Sequence, residues 1–543
     1  MKGDGVPVLR SVFRGVRNAY ERVATVLEST VVFLQRRYTP LGRFTPGPFE
    51  GWGFLRTPAL LGFVAMLMVL VGGSFSDSPY KLNMPGTWFF GEPTSTPNPP
   101  ASQSTLLLSI VFTYGGIVLF TRVWLRLAEI VKLHPGAPKR ALWKMFALWV
   151  SPLVVAPPLL SRDVFSYAAQ GEMVAHHLSP YLYGPFTLGS GPFVLPVDPR
   201  WGNAPAPYGP FFLWIDGVVN RLAHHNQLAT VVGLRLLELG AVIVLGYAIR
   251  LLAMALRRDP NEAFVLGALN PLTLLTLVGG AHNDALMAAL LTLGVALALR
   301  RRLWWASALI ATAAAVKAPA ALGLVFVAWN WRGVNASLRA RLRPLVTAGV
   351  VGVAVLGWWT WMAGFGFGWV NNLMTNGNVR SWAAPSTGIG MFLHYELKNA
   401  GVTTNLSHLL SVTRSIGLLI ALAFTSYLLR RSEQRGWVRS LAVALLVIVL
   451  LGPVVQPWYL AWGLVLLATS YRGREHFWLL ALTAVGPFIG LPGGHMLFVG
   501  LANANVLLVA SVVALLGAVV AVPMGRWTQW SWPEQSDDAL ASA

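Results

Sequence analysis

The sequence contains no cysteine. That excludes disulfides, a thiolate nucleophile and any Cys-ligated metal. Charge is also scarce, at 11% of 543 residues, where a soluble domain carries about 25%. Acids are the rarer sign, with 21 Asp and Glu against 41 Lys and Arg. No GxxxxGK[ST] loop is present, and Gly364–Gly368 (GFGFG) is no nucleotide fingerprint, because no strand precedes it. No cleavable signal is expected, since roughly fifty polar or amphipathic residues precede the first apolar run.

What the chain has instead is apolar length. Hydrophobic residues make up 55% of it, in membrane-length runs recurring from near residue 58 to near residue 522. The expected class is an all-α polytopic membrane protein, because a helix satisfies its own backbone within lipid. Helices are expected near 58–75, 105–123, 141–160, 228–254, 263–279, 284–299, 303–318, 320–331, 344–363, 408–430, 438–454, 458–471, 476–491 and 498–522, about fourteen transmembrane segments in all. The 303–318 and 320–331 pair is short and interrupted by Pro319, which suits segments that dip in and out.

In such a protein the net charge of +20 is no sign of nucleic acid. Basic residues mark cytoplasmic loops. With the N-terminus placed in the cytoplasm and the segments alternating, only seven Lys or Arg fall outside or at the outer edge: Lys81, Arg162, Arg200, Arg221, Lys317, Arg380 and Lys398. Both termini are then cytoplasmic in the plasma membrane. Residues 1–56 form a basic segment with nine Lys or Arg, either an interfacial helix or a solvated tail that sets topology. Residues 57–125 hold two helices, 126–525 the main membrane module with long outer loops at 161–227 and 364–407, and 526–543 a cytoplasmic tail. Those loops are aromatic-rich, which predicts short helices rather than disorder.

The first of these loops opens with SRDVFSYAAQGEMVAHHLSPYLYGP, Ser161–Pro185. Asp163, Ser166, Tyr167 and Gln170 fall at i, i+3, i+4 and i+7, one polar stripe on a helix. Ser161 is the expected N-cap and Ser179-Pro180 the expected stop. Asp163 reads as a general base at the outer membrane surface, with plain N-terminal capping as the alternative. Arg162, its neighbour, points away from it on a helix and is better placed to meet a phosphate.

Other polar groups stand out against the apolar background. Gly279–Ala285 (GGAHNDA) brings His282, Asn283 and Asp284 into one short turn, for capping or for substrate. Lys317 in AAAVKAP calls for an anion, a lipid phosphate by this reading, or snorkels to the surface. Trp201–Pro210 (WGNAPAPYGP) suits stacking on sugar rings, and Gln456–Tyr459 (QPWY) places polar groups at the surface; both also fit interfacial anchors. Arg235 and Glu238, three residues apart within a membrane segment, read as a structural ion pair. No outward segment has an acid-x-acid pair, and in His176-His177 and His224-His225 adjacent rings diverge, so no metal and no cofactor are expected.

Asp163 after a membrane helix, SYAAQG, the SPY at Ser179–Tyr181, APYGP at Ala206–Pro210, Leu269–Met287, AAAVKAP and QPWYLAW together resemble the GT-C glycosyltransferases. Among these the chain is most similar to the actinobacterial polyprenyl-phosphate-mannose-dependent alpha-1,6-mannosyltransferases of lipomannan and lipoarabinomannan assembly. The resemblance spans roughly residues 100–500. It implies a GT-C bundle and an inverting transferase facing the periplasm. It also implies a polyprenyl-phosphate-mannose donor and a lipid-anchored mannan acceptor. The family's first-loop acid falls on Asp163, and its phosphate site on Arg162, His282 and Lys317. Tyr167, Gln170, Tyr208, Asn283, Asp284, Gln456 and Tyr459 are the remaining candidates for substrate contact. The two helices and basic tail that precede the module depart from the family pattern. The rival readings are a lipid-linked sugar flippase, whose polar groups would sit near the midplane, and a transferase of another sugar such as arabinose or glucose.

Overall fold

A computed structural model describes residues 53–74, 103–133, 138–333, 336–372 and 380–489. Every regular element among them is helical. The helices of eight residues or more are α1 (Gly53–Ser74), α2 (Gln103–Leu133), α3 (Lys139–Val155), α4 (Asp163–Ala175), α5 (Pro210–Leu222), α6 (Gln227–Ala255), α7 (Pro260–Gly267), α8 (Asp284–Leu299), α9 (Leu303–Ala314), α10 (Leu322–Asn330), α11 (Leu338–Ala363), α12 (Pro385–Asn399), α13 (Leu406–Arg430), α14 (Trp437–Leu451), α15 (Ala461–Ser470) and α16 (Glu475–Ile489).

The boundaries follow local chemistry. Asn226 starts α6, its side chain accepting the Ala229 N–H at 2.9 Å. Asp259 accepts two N–H groups at the head of α7, with Pro260 at the first helical position. Gly364, at φ +77°, ends α11 in the left-handed region where glycine is unstrained.

Each expected segment up to 476–491 contains a helix, and 498–522 lies outside the described residues. The count of about fourteen spans is not confirmed among the described residues. By length and composition four described helices can cross a membrane: Leu55–Ser74, Gln227–Ala255, Leu338–Ala363 and Leu406–Arg430. Thr273–Gly279 and α8 make a fifth only as a broken pair bent by 118°. The expected 263–279 helix is itself interrupted. Pro271 has no N–H to give, and Asn270 takes over, donating to Leu266 O at 3.0 Å and accepting the Thr273 N–H at 2.8 Å. The region around Pro319 is two short helices, α9 and α10, joined through a 3-10 turn at Ala318–Ala321.

The two long loops, 161–227 and 364–407, contain short helices as expected. Residues 161–227 hold α4, α5 and the turns Pro185–Leu188 and Pro199–Gly202, and 364–407 holds Gly368–Asn371 and α12. In the core α8 packs between α6 and α9. The α4–α5 pair is a close one: a Cβ at Gly171 would lie 2.6 Å from the Asp216 carbonyl, so only glycine allows that approach.

Candidate active site

The first helical residue of α4 is Asp163. Ser161 caps from one position further out than expected. Its hydroxyl accepts the Asp163 N–H at 3.1 Å, while Arg162 holds the N-cap position. The helix also stops earlier than Ser179-Pro180. It ends at Ala175, where His177 turns left-handed (φ +58°) and the Leu178 N–H reaches back to Met173 O at 2.8 Å.

The polar stripe is present. Asp163, Ser166 and Gln170 line one wall of a cavity, bounded by Trp201, Ala204, Pro205, Pro207 and Tyr208 on one side and Val454, Gln456 and Tyr459 on another. Tyr167 belongs to the same stripe but sits behind the wall, its ring edge-on to Tyr208 (5.1 Å) and Phe212 (5.0 Å).

Behind Asp163 lies a buried polar network built from distant segments. Asp284, fully buried, accepts from Lys317 Nζ at 2.8 Å and from Trp462 Nε1 at 2.5 Å. Lys317 also donates to Asn283 Oδ1 at 3.2 Å and lies 4.7 Å from the Tyr459 ring centroid and 5.6 Å from that of Tyr208. The anion that Lys317 needs is therefore supplied by the protein itself. The hydrogen bonds Gly209 N–H to Val316 O and Phe211 N–H to Ala315 O, both 3.0 Å, hold the Tyr208 loop beside Lys317.

His282 is completely buried. Its Nδ1 is 2.6 Å from Thr276 O, which assigns the proton to that nitrogen, and its ring stacks on Trp458 at 3.7 Å. Nε2 then faces Asp163 Oδ2 at 3.8 Å, too far for a direct hydrogen bond. The Asp163 side chain is 19% exposed. Burial pushes its carboxyl above the ordinary aspartate value, against the opposing pull of His282 and Lys317. Ser166 Oγ, Gln170 Oε1, His282 Nε2 and Asn283 Nδ2 are buried without a protein hydrogen-bond partner, a concentration that points to a polar ligand.

Two further groups complete the site. Arg162 lies beside Asp198 and Arg200. Burial pushes Asp198 up, but hydrogen bonds from Arg200 and the charge of Arg162 outweigh it and hold the carboxyl below its usual value. The cluster keeps a net positive charge next to Trp201. Arg235, from α6, was expected to pair with Glu238; instead each is seen bonded to backbone elsewhere. The Arg235 guanidinium donates to Val154 O (3.1 Å), Ala156 O and Gly279 O (3.2 Å), so it joins the end of α3, which leads into Asp163, to the turn that carries His282. Glu238 accepts the Leu286 N–H at 3.0 Å and caps the start of α8.

Of the residues singled out in the sequence, Asp163, Gln170, Tyr208, Gln456 and Tyr459 reach the cavity, and His282, Asn283, Asp284 and Lys317 form the layer beneath. Arg162 and Tyr167 stand beside it. Sequence reading passed over the individual parts of Arg200, Trp458 and Trp462. The two tryptophans lie inside the QPWYLAW stretch, so the signal was on the page, but only folding brings Trp462 to Asp284, 178 residues away.

Comparison with known proteins gives one consistent answer. The family described as alpha-(1→6)-mannopyranosyltransferase, N-terminal domain, matches residues 59–333, and the MptB C-terminal domain matches residues 386–522. The chain is 30% identical over 511 residues to alpha-(1→6)-mannopyranosyltransferase B of Corynebacterium glutamicum, covering 86% of this chain and 81% of the relative. It is 31% identical over 470 residues to alpha-(1→6)-mannopyranosyltransferase A of Mycobacterium tuberculosis, covering 83% and 86%. A probable alpha-(1→6)-mannopyranosyltransferase of Mycolicibacterium smegmatis is 36% identical over 422 residues, covering 70% and 75%. No solved structure matches the chain.

Proposed function

The chain belongs to the alpha-(1→6)-mannopyranosyltransferase family, and from that premise we propose that it transfers mannose from polyprenyl-phosphate-mannose to the 6-hydroxyl of a lipid-anchored mannan. The observation that carries this reading is Asp163: a carboxylate pushed toward higher pKa, at the edge of a cavity walled by aromatic side chains, with buried cations nearby.

The acceptor O6 attacks the anomeric carbon. As that bond forms, its proton passes to the Asp163 carboxylate and the bond from the anomeric carbon to the phosphate oxygen breaks. An ordinary aspartate, with a pKa of about 3.9, is a weak base, so the transfer is concerted with attack. The upward push on Asp163 makes it a stronger base. A beta-linked donor yields an alpha-linked product by this single displacement. Negative charge gathers on the departing polyprenyl phosphate, where cationic groups stabilise it. The Arg162–Arg200 cluster suits that role. Lys317, held by Asp284, sets the potential around Asp163 and stiffens the cavity floor. Tyr208, Tyr459 and Trp201 offer aromatic faces to sugar rings, and Ser166, Gln170, Asn283 and Gln456 offer hydrogen bonds. The site opens to the cell exterior, with both termini in the cytoplasm, and the acceptor belongs to lipomannan-type envelope polymers.

Transfer by the purified full chain in detergent tests this. With polyprenyl-phosphate-mannose and an alpha-linked dimannoside, a trisaccharide with a new alpha-1,6 linkage and equimolar release of polyprenyl phosphate is expected. A protein that moves lipid-linked sugar across vesicles but transfers nothing in detergent is a flippase. Transfer of arabinose or glucose alone would reassign the donor.

A further inference from the structure

At the far end of α4 from Asp163, about 14 Å along the helix, three potential metal ligands converge: Glu172, His176 and His225. Glu172 lies in the last turn of α4, and His176, four residues on, is the residue that ends the helix. His225 comes from the turn after α5. One histidine of each adjacent pair thus turns inward although neighbours in a pair diverge. His176 Nε2 is 3.0 Å from Glu172 Oε1, and His225 Nδ1 is 2.9 Å from Glu172 Oε2. The candidate ligand atoms all lie within 4.8 Å of one another.

The backbone around the cluster is unusual as well. His177, His224 and His225 have φ of +58°, +50° and +57°, values that carry a steric cost for a side chain with a Cβ. Each helix end is closed by a reach-back hydrogen bond, Leu178 N–H to Met173 O (2.8 Å) and His225 N–H to Asn220 O (3.2 Å). Glycine is the unstrained residue for such turns, and both ends use histidine.

We infer that Glu172, His176 and His225 bind a zinc-class divalent cation that clips the end of α4 to the end of α5. Two imidazoles and a carboxylate form a ligand set zinc accepts, with water in the fourth position. In a tetrahedral site with bonds of about 2.0–2.1 Å the ligand atoms stand about 3.3 Å apart. Each imidazole already stands near that distance from one Glu172 oxygen, His176 from Oε1 and His225 from Oε2, so binding requires the carboxylate to turn one oxygen to the ion and the two imidazoles to close on each other. The exposure of His176 (56%) and His225 (45%) leaves the ion an entry path from water. Its role is positional. The α4–α5 pair carries Asp163 and Gln170, and clipping its far end stiffens the cavity wall without the ion touching substrate. The chemistry proposed above needs no metal, so the two readings fail independently.

The test uses the full chain in detergent, stripped with chelator and titrated with zinc sulfate. Saturable 1:1 zinc binding is expected, and cobalt(II) in its place should give visible absorption bands of a tetrahedral site. Thermal stability should rise with the logarithm of free zinc. Glu172→Gln, His176→Gln and His225→Gln should each weaken binding by at least about tenfold, the loss that even outer-shell substitutions cause. His177→Gln, beside the cluster, should bind as the parent does. Absence of saturable binding overturns the inference. So does binding that survives in the His176→Gln/His225→Gln double variant. Both side chains are largely exposed, and an unchanged size-exclusion profile confirms that the variants fold.

Discussion

Two long apolar helices, α6 and α13, are equally able to cross a membrane, yet they differ in burial. In α6 44% of the hydrophobic window is buried against other helices, and in α13 only 22%. The α6 helix also carries three buried charged residues, Arg235, Glu238 and Arg250. On α13, Leu419, Ile420 and Leu422 stand exposed, the pattern of a lipid-facing surface. Hydropathy cannot separate the two, because lipid and protein interior are both apolar. What separates them is where buried polar groups find partners. Arg235 is retained inside the bundle because three carbonyls at chain breaks need a donor. Those breaks are what deliver Asp163 and His282 to one place.

That contrast can be broken or sharpened by substitution. The largest effect is expected at the site that α6 serves. Asp163→Asn should lower transfer by about 100- to 10,000-fold while the protein elutes and melts like the parent; parental transfer rates would remove Asp163 from its role. Next comes Arg235→Leu, which leaves three carbonyls without their donor. At about 1–3 kcal/mol for a buried unsatisfied group, it should depress Tm and transfer together. An unchanged Tm would mean that α6 is no more a scaffold than α13.

A pH effect follows from Asp163. Its folded-state value is raised, so the base form appears only above the ordinary aspartate range of about 3.9. The acid limb of kcat/KM should therefore be displaced upward, and a limb at or below that value would contradict the buried setting. Stability runs the other way. A carboxyl with a raised folded value contributes fully below its unfolded pKa, and that contribution is lost as pH rises through the folded one. At neutral pH Asp163→Asn should therefore melt no lower than the parent. The smallest effect is expected at Leu419→Ala on α13, where the side chain is 65% exposed. It should stay within about 0.5 kcal/mol, read as an unchanged Tm. A large loss there would show that α13 has a protein partner.

Much of the site was legible in the chain. The i, i+3, i+7 spacing of Asp163, Ser166 and Gln170 placed them on one wall, because helical geometry is local. The GGAHNDA turn and Lys317 were visible because polar residues are rare against so apolar a background. Their pairing was not visible. Lys317 finds Asp284 across 33 residues, and nothing local distinguishes that carboxylate from a lipid phosphate as its partner. Hydropathy alone does not fix the span number, for a related reason. A window of apolar residues marks a buried segment, but buried segments here include short and bent helices that hydropathy counts as full crossings.

Composition and spacing were enough to establish a helical membrane protein with a carboxylate at the head of an amphipathic helix, since periodicity and apolar length are properties of neighbours along the chain. Folding alone settled that Asp284 would neutralise Lys317, that Arg235 would hold two chain ends together, and that Glu172 would meet His225 across 53 residues. Each of these depends on which distant segments share a cavity, and burial makes an unpartnered charge too costly to leave where the chain's own pattern would put it.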